Sequence, residues 1–235
     1  MKLFRLIGGL FFVLITLILA KTSLVLLISV KSSWNGWLPL HAISFSTGFL
    51  VWLLAFVLLP RPATAYILGH ELTHAFWGFL FGKSIRKISV SDHEGSVSLS
   101  GVNFLIVLSP YFFPFYSVLV ILIYFIVWLF VNPVPVVWLW MGLLGVSWGF
   151  HVTFTFKALG ERQPDFEVYG RFFSYTFILL INLFIVCVTL FIVTDVSLEM
   201  FVSSLKTDTL RVIDGIRFVF LKASEAIKHV QVNLQ

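Results

Sequence analysis

Long apolar runs separated by short polar islands set the pattern of this chain. Residues 3–30, 42–60, 62–82, 103–131, 136–156 and 172–194 each hold an apolar stretch, and a helix needs about 20 such residues to cross a hydrocarbon core roughly 30 Å thick. The first connection carries Trp34, Trp37 and Pro39, which suit the membrane interface. Pro60 and Pro62 stop one helix and open the next, and Asn132-Pro133-Val134-Pro135 reads as a tight turn. The amino end, with Lys2 and Arg5, resembles a signal peptide. No convincing cleavage site follows, so it is read as a retained helix in which Lys21 either snorkels or marks a break.

The 103–131 stretch is long for one straight helix and holds Ser109-Pro110 and Pro114 near its beginning. Proline frees backbone carbonyls, so a kinked or unwound turn is expected there, in a segment able to line a cleft. Two polar islands interrupt the pattern. In residues 83–102, Ile85, Ile88, Val90, Val97 and Leu99 sit among Ser, Lys and Arg around Asp92-His93-Glu94-Gly95, which predicts a short β-hairpin whose edge could hold an extended peptide. The second island, Lys157 to Arg171, contains Glu161, Arg162, Gln163, Pro164, Asp165 and Glu167. Beyond Asp195, Leu205, Val212, Ile216, Val219, Ala223 and Ile227 recur at helical spacing. They predict an amphipathic helix that lies in the headgroup layer or pairs with another protein.

The expected fold is therefore an all-α membrane protein: a polytopic bundle of about six transmembrane helices, a hairpin after the third and an amphipathic C-terminal helix. Residues 1–195 form the membrane domain and residues 196–235 the tail. Composition agrees, with 59% apolar and 11% charged residues and a mean hydropathy of +1.01. The net charge of +5 comes from loops and tail and points to orientation in, and contact with, an anionic bilayer rather than to nucleic acid. Loop charges alone do not settle which end faces the cytoplasm. Cys187, the lone cysteine, can form no internal disulfide.

Chemistry concentrates at His70-Glu71-Leu72-Thr73-His74 in the third apolar stretch. Histidines four apart on a helix share one face and can reach one metal ion, and the adjacent glutamate can polarise a water that the metal holds. Ionisable side chains in hydrocarbon are costly and need a partner, which zinc would be. A catalytic zinc takes three protein ligands and leaves one position open. Asp165, stiffened by the preceding proline and set in a wet island, is preferred as the third, while spacing leaves Glu161, Glu167 and His151 open. The chain reads as a protease of membrane proteins. Two other readings of the same residues are the transient ion site of a metal or proton transporter, and a scaffold that binds membrane proteins without cleaving them.

Gly69-His70-Glu71-Leu72-Thr73-His74-Ala75 in a membrane helix, the hairpin-like residues 84–100, Ser109-Pro110, and Gln163-Pro164-Asp165-Phe166 together resemble the site-2 protease family of intramembrane zinc metalloproteases, in its small bacterial members. The resemblance covers roughly residues 62–185. It implies that His70, His74 and Asp165 bind zinc, that Glu71 is the general base, that the substrates are membrane-embedded or membrane-proximal proteins, and that the chain sits in a bacterial cytoplasmic membrane. The family's aspartate lies in an Asp-Gly pair, whereas Phe166 follows Asp165. Its Gly-Pro with a nearby Asn is only partly echoed by Ser109-Pro110-Tyr111.

Overall fold

A computed structural model of the chain describes residues 2–33, 40–91, 94–131, 133–194 and 196–233. The interfacial Trp34, Trp37 and Pro39, the turn residues Asp92 and His93, and Asn132 lie outside the described residues. Each of the six apolar stretches is helical. In chain order the elements are α1 (Lys2–Ser33), α2 (Leu40–Leu58), α3 (Ala63–Leu80), β1 (Ile85–Val90), β2 (Gly95–Leu99), α4 (Phe104–Leu108), α5 (Phe115–Phe130), α6 (Val137–Gly160), α7 (Pro164–Tyr169), α8 (Arg171–Val193) and α9 (Leu198–Asn233). Four helices, α1, α2, α6 and α8, are long and apolar enough to cross a membrane, which fits a membrane protein; counting the broken pair α4/α5 as one span makes five.

The break falls where the prolines stand. A short 3₁₀ turn, Ser109–Tyr111, ends α4, Pro114 caps α5, and the two pieces meet at 82°. Close approach elsewhere relies on glycine: a Cβ on Gly48 or Gly145 would lie 2.0 Å from a carbonyl oxygen of the facing helix, so α2 and α6 touch backbone to backbone. Lys21 does not break α1. It pairs with Asp208 of α9 at 2.8 Å, and Thr22 donates to the other oxygen of that carboxylate. The tail helix is thus tied to its own bundle along its first turns, with Asp208 buried.

Contact registers give the helix directions. Gly8 and Gly9 face Phe173 and Phe172, and further along Ser23 meets Cys187, so α1 and α8 run parallel. Asn182 reaches His151 and Tyr175 reaches Leu159, which makes α8 antiparallel to α6. Phe45 packs on Trp148 and Phe56 on Phe154, so α2 runs parallel to α6. Ser117 meets Ser147 and Tyr124 meets Trp140, so α5 opposes α6. Because α2 ends where α5 begins, α3, the hairpin and α4 leave and return at one end of the bundle. α3, expected to make a sixth crossing, is not among the four or five candidate spans. Its three ionisable side chains explain why a helix of 18 residues is not among the apolar spans.

Candidate metal centre

One turn of α3 puts His70 and His74 side by side, with their Nε2 atoms 3.1 Å apart. The third group arrives from another element. Gly170, at φ +91, closes the six-residue helix α7, and Pro164 opens it, which sets Asp165 in its first turn. Oδ2 of Asp165 lies 3.6 Å from Nε2 of His70 and 3.7 Å from Nε2 of His74. Donor atoms bound tetrahedrally at the 2.0–2.1 Å typical of zinc stand roughly 3.4 Å apart. The three observed separations bracket that value, so these residues could hold a metal ion of that size, zinc among others. Among the described residues they are the one group of His, Cys, Asp or Glu side chains gathered closely enough to hold a metal.

The outer contacts fix how the donors point. Nδ1–H of His74 donates to the carbonyl of Ile106 at 2.8 Å, which leaves Nε2 with a free lone pair for a metal. That carbonyl is available because its ordinary helical partner would be the amide of residue 110, and Pro110 has none. Ser109 donates to the same oxygen, and Asn103 caps the start of α4 by accepting from Ile106 N. Tyr111, fully buried, donates its hydroxyl to Oδ2 of Asp165 at 2.8 Å. Asn182 holds Tyr111 in turn, donating to its carbonyl at 2.8 Å and accepting from His151 Nε2–H at 3.0 Å. Burial alone would push the Asp165 carboxyl up, but the two imidazoles and the Tyr111 hydroxyl hold it well below the usual carboxylate range.

Glu71 is buried beneath the hairpin. Gly95, the first residue of β2, lies so close that a Cβ there would come within 2.6 Å of Glu71 Cγ and 2.9 Å of its Oε1. Only glycine seats the strand on the glutamate at this distance. A cleft of about 360 Å³ opens between hairpin, α4 and α7, and His70, Glu71, His74, Val97 and Asp165 line it. The three-donor set and the glutamate thus line one cleft, in which a metal-held water would lie within reach of a carboxylate.

The other sequence candidates stand apart. Glu161 is exposed and faces Lys157 at 3.8 Å. Glu167 is exposed and bound by Arg162 and Arg171. His151 is committed to Asn182, and His41 and Glu94 are exposed. Tyr111 and the Ile106 carbonyl were not singled out in the sequence, although Pro110 minus four points straight at Ile106. Compared with family models, curated proteins and solved structures, the chain matches none.

Proposed function

We propose that the protein is an intramembrane zinc metalloprotease, similar in its chemistry to the site-2 proteases, which hydrolyses peptide bonds of membrane-embedded or membrane-proximal proteins. One observation carries the reading: a carboxylate from α7 comes within 3.7 Å of two imidazoles set one helical turn apart, beside a buried glutamate that lines the same cleft. A structural histidine pair would not need the acid, the base and the cleft together.

Bound zinc would supply Lewis acidity toward the water and the scissile carbonyl. His70, His74 and Asp165 would hold it. Glu71 takes the proton of the attacking water on a carboxylate oxygen and passes it to the leaving amine nitrogen. Gly95 packs on this side chain from the hairpin side. The hairpin borders the cleft from Gly95 to Leu99, and an unwound substrate segment could lie along it by strand addition. Unwinding is required, because a helical substrate hides its carbonyls in its own hydrogen bonds. The polar unit enters and leaves at one end of the bundle, which gives the reacting water a route that crosses no full span.

The test uses purified protein with a single-span reporter carrying a helix-destabilising segment. Glu71→Gln should abolish cleavage and keep the metal. His70→Ala, His74→Ala and Asp165→Asn should each lose metal by at least about 100-fold in affinity, and Glu161→Gln and Glu167→Gln should lose none. Equal zinc in all variants would defeat the ligand assignment, and cleavage by the Glu71→Gln protein would defeat the general-base role.

A further inference from the structure

Where α1 and α8 begin, side by side and parallel, a cleft of about 320 Å³ is lined by Lys2, Arg5, Leu6, Tyr169, Arg171 and Phe172 among others. Three cations face one space. The Arg5 guanidinium sits over the Tyr169 ring at 5.4 Å, which fixes its direction. Among the described residues neither Lys2 nor Arg5 pairs with a carboxylate. Arg171 does meet Glu167 at 2.9 Å, but the same carboxylate oxygen also accepts from Arg162 at 3.0 Å. That shared negative charge neutralises only one of the two arginines, and the cleft keeps an excess of positive charge.

Below the cations the surface turns apolar. Leu6 and Phe172 are 50% and 44% exposed and lie on the outside of the α1–α8 seam. Gly9 lets the Phe172 ring close against α1: a Cβ there would lie 2.5 Å from it. A cationic pocket set above an apolar seam, at the end of two spanning helices, matches the two parts of a phospholipid. The same end of the bundle also gathers Arg61, Lys157 and Arg162, while the connection at residues 131–136 carries no charge. A basic surface at the end of spanning helices attracts anionic headgroups.

We propose that this cleft binds the phosphate of an anionic phospholipid headgroup, on Lys2, Arg5 and Arg171, with an acyl chain along Leu6 and Phe172. The site is independent of the metal centre, although Tyr169, its aromatic wall, is the last residue of the helix that carries Asp165.

Native mass spectrometry of the full chain, released from mixed phosphatidylglycerol and phosphatidylcholine nanodiscs, reads the site directly. The wild-type protein should retain phosphatidylglycerol at least about 10-fold over phosphatidylcholine, and retention should fall as salt rises. Lys2→Gln/Arg5→Gln/Arg171→Gln should lose that preference with an unchanged melting temperature. Equal retention of the two lipids by the wild-type protein overturns the proposal without recourse to any variant. So does full retention by the triple variant, or displacement of the lipid by millimolar inorganic phosphate, which would mark a site for the free anion instead.

Discussion

The hydroxyl of Tyr111 donates to the one oxygen of Asp165 that faces both imidazoles, at 2.8 Å. The carboxylate is thereby aimed before any metal arrives, and the tyrosine is itself held by Asn182. Tyr111→Phe keeps the ring packed on Phe166 and removes only this bond. Zinc affinity should fall roughly 10-fold, within the range for losing an outer-sphere partner. Competition with a chromophoric chelator checks this, and an unchanged affinity would show that Asp165 needs no such support.

A second support is a missing amide. Pro110→Ala restores the N–H that Ile106 lacks as a helical partner, so the carbonyl now bound by His74 gains a competitor. Metal affinity should drop by several-fold, up to about 10-fold. The cobalt-substituted protein should show an altered visible spectrum as His74 loses its fixed orientation. An identical spectrum would mean that the turn keeps its shape without the proline.

Helix direction gives a topological prediction. With Cys187 buried and replaced by Ser, single cysteines at Arg61, Ser100 and Val131 can be labelled from either side of oriented vesicles. Arg61→Cys and Ser100→Cys should react from the same side and Val131→Cys from the other. Labelling of Arg61→Cys and Ser100→Cys from opposite sides would restore a full crossing by α3.

The tail contact is pH-dependent. Lys21 foremost, aided by Thr22 and Arg211 and opposed by burial, holds the Asp208 carboxyl below its usual range. A carboxylate depressed in the folded state contributes fully above its unfolded pKa of about 3.9, and that contribution disappears as pH falls through the lower folded value. Amide protection in residues 200–212, corrected for the intrinsic exchange rate at each pH, should therefore be high at neutral pH and fall only below about pH 4. Asp208→Asn should show the lower protection at every pH. High protection in that variant would assign the docking to the apolar contacts of Phe201 and Val196.

Much of the architecture was legible in the residues. Apolar length and proline placement marked the long apolar helices and the break at Pro110, and amphipathic spacing marked α9, because all three act locally. The two strands of the hairpin followed from their alternation. What sequence could not supply was direction: α3 carries enough apolar residues to look like a span, and only the contacts that set α2 parallel and α5 antiparallel to α6 bring the segment between them back to one end of the bundle. The donor set divides in the same way. His70 and His74 are fixed by helical spacing, whereas Asp165 competed with Glu161, Glu167 and His151 until tertiary contact separated them. Tyr111 was hidden for the same reason, since its partner lies on α7.

Because the histidines come early and the third donor sits on α7, a ribosome that has extruded only the first half of the chain has made an incomplete ligand set. The three donors can meet only after α7 has been made and packed against α4 and α8, so a chain cut short before residue 164 should hold a metal no better than an isolated pair of histidines.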